Sequence, residues 1–321
     1  MSWQRTVLMG DPSQFSVKGG ANPHTRTWLG TKRSVDRTQA IEQWYRLRDT
    51  LRGHGVRVVA VPADPGQPGL VYPANAGFLL PLDAEKPRFE KVFYLSNLIA
   101  TRAGERLHYD RVVSSAGFRT AAVPEHLRFE GEADFFPAGD LHLLTHGRLE
   151  EQRFVPHLGI PPWKRVYGFR TDARVEKFLA PLVAPRRVLR VELVLEAHYH
   201  GDTALCAFGP SRKYLLAWKP AIAPESWEAL RANFGEHLIE IADEDAARYA
   251  ANSFTYTSSS REGAVRESFL FLPGGVSDRL LGEVRERGVT PVTVDVSEFL
   301  KKGGGSVKCM IGDLGPIEVV E

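Results

Sequence analysis

Cysteine is nearly missing: Cys206 and Cys309 are the only two in 321 residues. Two thiols cannot build a disulfide framework, so a small stapled scaffold is excluded and a reducing cytoplasm is the expected compartment. No apolar run approaches the roughly 20 residues that a bilayer-crossing helix needs. The start, Met1-Ser2-Trp3-Gln4-Arg5, lacks the apolar stretch of a secretory leader. Charge of one sign is lacking too. The 41 Lys and Arg against 39 Asp and Glu leave +2, which argues against nucleic acid as the main partner. Neither a Gly-x-Gly-x-x-Gly turn opening a helix nor a Walker loop occurs, and no cofactor is expected.

What is present is a globular composition, 43% hydrophobic and 25% charged, with length enough to bury a large core. Nothing resembles a linker, since the Pro-rich stretch from Ala63 to Pro68 is short enough for an ordinary connection. One domain over residues 1–321 is expected.

One pattern of strand, polar loop, strand, helix and strand recurs, with a period of roughly 60 residues. The first unit has an apolar run at Thr6 to Met9, a loop at Asn22-Pro23-His24, and a helix from Val35 to Arg52. That helix carries Ile41, Trp44, Leu47 and Leu51 at helical spacing. The later units offer polar loops at Tyr72-Pro73-Ala74-Asn75, at Phe129-Glu130-Gly131-Glu132-Ala133-Asp134, at His200-Gly201-Asp202-Thr203 and at Ala251-Asn252-Ser253. Five units closing around an axis would bring such loops to one mouth; an open doubly wound sheet is the competing layout.

Cys309 follows Gly303-Gly304-Gly305-Ser306-Val307-Lys308, a loop of backbone donors with a cation beside the thiol, features that favour thiolate. Cys206 lies in an apolar strand and is expected to be inert core. His200 and Asp202, two apart on an expected strand, would share a face and could bind a cation and move a proton. Asn75, Glu130, Asp134 and Asp202, from three separate loops, suggest a pocket for a planar cation. Guanidinium is such a cation, with five donors in a fork that carboxylates match. A thiolate there could attack its central carbon while His200 handles protons.

These residues, with Arg170-Thr171, fall in the order of the guanidino-group-modifying superfamily, the penteins. The chain resembles its arginine deiminases, dimethylargininases, arginine dihydrolases and amidinotransferases along nearly its whole length. The resemblance implies an α/β fold, a five-bladed propeller with its site on the axis. It implies a covalent amidino intermediate on Cys309, His200 as general acid and base, and Glu130 orienting the guanidinium. Asp202 would bind the guanidinium, and Arg170 would hold a substrate carboxylate. Pro73-Ala74-Asn75 stands where deiminases usually carry Thr-Arg-Asp, as in the dihydrolases, where this asparagine and one in an Asn-Pro are linked to a second hydrolysis; Asn22-Pro23 fits the latter. The product would be citrulline-like after one round, or ornithine with ammonia and CO2 after two. A small guanidino compound is the expected partner, with homodimerisation left open.

Three alternatives stand beside this. An amidinotransferase would pass the amidino group to an amine. A metal hydrolase would use His198 and His200, or His142 and His146, although no metal is expected. A non-catalytic scaffold has no need of Cys309, His200 and Glu130 together.

Overall fold

The chain alternates short strands with helices because short β-branched and aromatic runs are separated by amphipathic stretches. The computed structural model describes residues 2–17, 22–25, 33–150, 153–157, 160–258 and 266–319. The strand β1 (Ser2–Gly10) leads through the helix α1 (Arg37–Gly53) to β2 (Arg57–Val61). Next come β3 (Gly77–Leu80), β4 (Val92–Leu95), α2 (Glu105–Ser115) and β5 (Arg119–Ala122). Then follow β6 (Phe135–Ala138), β7 (Leu141–His146), the hairpin β8 (Arg153–His157) and β9 (Ile160–Val166), α3 (Glu176–Val183) and β10 (Arg187–Glu192). The fourth unit is β11 (Leu205–Phe208), β12 (Tyr214–Ala217), α4 (Pro224–Phe234) and β13 (Leu238–Glu240), followed by the single turn α5 (Asp243–Ala246). The last elements are β14 (Phe254–Thr257), β15 (Ser268–Pro273), α6 (Asp278–Glu286), β16 (Thr290–Val294), α7 (Ser297–Gly303) and β17 (Gly312–Val319).

These strands form five three-stranded sheets of one design, β3-β4-β5, β6-β7-β10, β11-β12-β13, β14-β15-β16 and β17-β1-β2. In each, the inner strand is antiparallel to the middle one and the middle is parallel to the outer one. A parallel pair needs a crossover, and the helix supplies it. Inner strands meet their neighbours: β11 packs against β6 and β14, and β17 against β3.

The fifth sheet departs from expectation. Its inner strand is β17, which pairs with β1 from Ser2↔Val319 to Leu8↔Gly312. The polar turn equivalent to those of the other units is therefore the one that carries Cys309. The Asn22 loop instead lies between β1 and α1. Gly315 (φ +65°) and Pro316 hide this strand in the sequence. Pro is tolerated because β17 pairs with β1 alone.

Among the described residues no doubly wound open sheet is seen. In α1 the buried stripe is Ala40, Gln43, Trp44, Leu47 and Leu51, while Ile41 is only partly covered. Leu47 and Leu51 are fully buried against the sheet, each worth about 1.5–3 kcal/mol. In the third unit the helix begins at Glu176, after a tight turn at Ala173–Val175. The segment holding His200 and Asp202 is not a strand but a 3-10 turn, Gly201–Thr203, entered by His200. No helix among the described residues is long and apolar enough to cross a membrane.

Candidate active site

Each inner strand is entered through a tight turn, and the turns bring polar side chains together. Pro73–Asn75 precedes β3, Gly131–Ala133 precedes β6, and Gly201–Thr203 precedes β11. Asn252 lies just before β14 and Cys309 just before β17. The Gly131–Ala133 turn touches both the Asn75 and the Asp202 turns. Glycine is required here: Gly131 has φ +72°, and an added Cβ would sit 2.8 Å from the carbonyl oxygens of Ala74 and Gly77.

Cys309 Sγ lies 3.4 Å from Asp202 Oδ2 and accepts a hydrogen bond from Asn252 Nδ2 at 3.2 Å. The thiol is buried, at 5% exposure. Burial and the Asp202 carboxylate push its pKa well above the ordinary thiol range, against the pull of Asn252 and Lys308. The low thiol pKa expected from the glycine loop is therefore not found in the free protein. The loop's N–H groups at Ser306 and Cys309 donate to Asn252 Oδ1 (2.7 and 3.1 Å), not to sulfur. Lys308 Nζ turns to Glu132 Oε1 at 2.7 Å and to the Ile311 carbonyl at 3.0 Å.

Glu130 Oε2 and His200 Nε2 are 2.7 Å apart, both buried. Burial alone would raise the Glu130 pKa. The His200 hydrogen bond and the nearby charges of His200, Arg170 and Arg102 outweigh it and hold the group at about 2. Asp202 goes the other way. Burial lifts it to about 6, although His200 and Lys308 draw it down. Its Oδ1 is buried and has no partner among the described residues, as is true of Asn75 Nδ2. Asn75 Oδ1 accepts from Arg102 Nη1 at 2.8 Å. The Arg170 guanidinium sits 4.8 Å from the centre of the Tyr199 ring, which packs 4.6 Å from His200.

Two predicted residues take different positions. Asp134 spends its carboxylate on Thr145 Oγ1 (2.6 Å), Thr171 Oγ1 (2.7 Å) and the Gly201 N–H (2.9 Å). It therefore anchors the His200 turn to its neighbours. Asn22 Oδ1 accepts from the His24 N–H at 3.0 Å within its own turn. His24 in turn lies on Gly304, where an added Cβ would be 2.3 Å from His24 Nε2, and it meets the Ala197 carbonyl at 2.9 Å. The histidines of the metal alternative do not converge. His198 faces the Thr203 carbonyl and stacks on Tyr249, His200 faces Glu130, and His142 stacks on Phe135.

Three contributors were not recognised in the sequence. Asn252, fully buried, joins the Cys309 loop to the Asp202 carbonyl (3.0 Å); its signal was its place in the fifth polar loop. Arg102 grips Glu105 at 2.7 and 2.9 Å and lies 3.7 Å from Glu130. Glu132 accepts the Asp313 N–H at 2.8 Å, and burial raises its pKa despite Lys308. Cys206 lies in β11, buried, with Sγ 3.3 Å from the Ser253 carbonyl and its pKa pushed up to about 12.

No family model matches the chain. It is 29% identical over 312 residues to the N(G),N(G)-dimethylarginine dimethylaminohydrolase of Mycobacterium tuberculosis, covering 97% of this chain and 86% of that protein. It is 28% identical over 306 residues to the bifunctional arginine dihydrolase/ornithine cyclodeaminase AgrE of a Nostoc species, covering 94% of this chain and 37% of that protein. Among solved structures, the N-terminal domain of ArgZ, a cyanobacterial arginine dihydrolase, here a Cys-to-Ser variant bound to substrate, superposes with a TM-score of 0.76. The two share 22% identity over 97% of this chain and 98% of that one. The mixed α/β fold is the one these proteins share, and over nearly its whole length the chain is similar to a dimethylargininase and to arginine dihydrolases.

Proposed function

We propose that the protein hydrolyses the guanidino group of arginine or a closely related guanidino compound through a covalent amidino intermediate on Cys309. The single observation that carries this is the 3.4 Å approach of Cys309 Sγ to Asp202, beside the buried Glu130–His200 pair at 2.7 Å. Named relatives support it: one is a dimethylarginine dimethylaminohydrolase and another an arginine dihydrolase. A variant of ArgZ has been seen covalently bound to a reaction intermediate.

A guanidinium held by Glu130 and Asp202 would bring a positive charge against the thiol, and this cation favours the thiolate that the free site disfavours. The thiol proton passes to Asp202, whose pKa near 6 makes it a usable acceptor. Sulfur bonds to the guanidinium carbon. The C–N bond breaks, and ammonia or an amine leaves with a proton delivered by His200. His200 then takes a proton from water, oxygen bonds to carbon, and the C–S bond breaks to free a ureido product and the thiolate, which recovers its proton from Asp202. Arg170 is assigned to the substrate carboxylate, Asn75 to the guanidino end, and Asp134 to positioning. A second round would rest on Asn75, because the Asn22 side chain serves its own turn.

Five sheets of one design, with neighbouring inner strands in contact, support a single five-bladed propeller over residues 1–321 with these turns at its mouth. Two free cysteines fit a reducing cytoplasm. A homodimer is compatible with this arrangement.

The test is incubation of the purified protein with arginine, Nω-methylated arginines and agmatine, with products identified by mass. A ureido product from wild type and none from Cys309→Ser is expected. Full activity in Cys309→Ser would end the proposal. Transfer of the amidino group to an added amine in preference to water would move the protein to the amidinotransferases.

A further inference from the structure

A second polar cavity, of about 270 Å³, opens at the opposite ends of the inner strands. It is bordered by the segments that follow β3, β11 and β14, whereas the catalytic turns precede those strands. The lining contains neither Cys309, His200, Glu130 nor Asp202. Four guanidinium groups line it, Arg5, Arg186, Arg212 and Arg266, against the carboxylates of Asp83 and Glu85.

The cavity is built around buried donors. Arg5 is 6% exposed, with Nη1 on Asp83 at 2.6 Å and Nη2 on Asp313 beneath the floor. Its Nε is buried with no partner among the described residues. Arg212 gives Nε and Nη2 to Asp83 at 3.0 and 3.3 Å, and Nη2 also to Asp313 at 3.3 Å. Its backbone is left-handed, as is that of Ser211 before it (φ +54° and +53°). Arg186 stands exposed at the rim and forms no ion pair among the described residues. Thr255 Oγ1 accepts from the Gly209 N–H at 3.2 Å, so its own hydrogen remains to be donated. Donors therefore outnumber acceptors, and positive groups outnumber negative ones.

We propose that this cavity is a second binding site, for a compact dianionic oxyanion of the phosphate type, free or as a phosphomonoester. Guanidinium forks match such oxyanions with paired hydrogen bonds. The volume falls below the roughly 300 Å³ at which pockets for drug-sized ligands begin, which suits a small anion. The experiment is calorimetric titration of the full chain with inorganic phosphate, with chloride at matched ionic strength as reference and glycerol 3-phosphate as the ester arm. One phosphate per chain is expected, weakened at least tenfold by Arg186→Glu and several-fold by Arg186→Ala. Both changes fall on an exposed side chain and should leave the circular dichroism unchanged. Binding must also survive Arg170→Ala, which alters only the other end of the molecule. Heat no larger than with chloride, affinity unchanged in Arg186→Glu, or binding lost in Arg170→Ala would each overturn the proposal. Tighter binding of the ester than of phosphate would assign the site to a phosphorylated metabolite, and the reverse to the free ion.

Discussion

Replacing Asp202 by Asn should make the protein more stable and nearly inactive. The carboxylate is buried, one oxygen faces the thiol, and the other has no partner among the described residues. Its pKa of about 6 stands above the ordinary 3.8. At about 1.4 kcal/mol per pH unit, the difference is a cost of about 3 kcal/mol to the folded state. The sign follows from proton counts. Between pH 3.8 and 6 the folded chain holds a proton that the unfolded chain releases, so this group's contribution to stability falls as pH rises through that window. The full cost is present above pH 6 and absent below 3.8. Asp202→Asn, nearly isosteric, removes the charge. Thermal unfolding at pH 8 should rise by roughly 4–6 °C for a chain of this size, and the gain should vanish toward pH 4. The kcat/KM should fall at least about 100-fold, since the guanidinium loses a charged partner. Alkylation of Cys309 by iodoacetamide should meanwhile speed up at pH 8, because the nearby negative charge that suppresses the thiolate is gone. Unfolding at pH 8 below the wild-type temperature, or activity within threefold of wild type, would refute this account of the site.

Asn252→Ala strips the Cys309 loop of its acceptor and leaves buried N–H groups at Ser306 and Cys309 unmet. A loss of about 3–5 kcal/mol in urea unfolding is expected, together with a drop in kcat, and a loss under 1 kcal/mol would contradict the geometry. Glu130 has its pKa held at about 2, so it stabilises the fold above the unfolded value near 4.5, and that stabilisation fades as pH falls toward 2. Glu130→Gln should accordingly flatten the acid limb of the stability curve between pH 4.5 and 2 and abolish turnover; an unchanged acid limb counts against the His200 pairing. Gly304→Ala forces a Cβ onto His24 at a φ of +63°. It should raise KM or lower kcat by displacing the loop that carries Cys309, and kinetics identical to wild type would show that the loop keeps its place without the His24 contact.

The repeated module was legible because its helices carry an apolar stripe and its strands are short apolar runs. Trp44, Leu47 and Leu51 announced α1, and the burial of α6 at Leu280 and Val284 follows the same spacing. His200, Glu130 and Asp202 were legible because each sits beside glycine in a loop that the repeat had already marked, and Cys309 because it follows the glycine run at 303–305. Two kinds of information were hidden. Position within a turn depends on long-range partners: Asp134 looks like a ligand until Thr145, Thr171 and Gly201 claim it. The thiol pKa was misjudged because proximity in sequence to Lys308 says nothing of Glu132, 176 residues earlier, which takes the ammonium. The strand β17 was missed because Gly315 and Pro316 are strand breakers in any local scale, and only pairing with β1 overrides them.

The join between β17 and β1 has a consequence for how activity is acquired. Cys309 stands three residues ahead of a strand whose partner is the first strand of the chain, so the proposed nucleophile is seated only when the earliest and latest segments have met. The other four sheets each draw on one continuous stretch of sequence and can form without it. A chain arrested before residue 312 could therefore acquire most of its core and still lack the thiol turn. Catalysis would serve as a report that the ring of modules has been fastened.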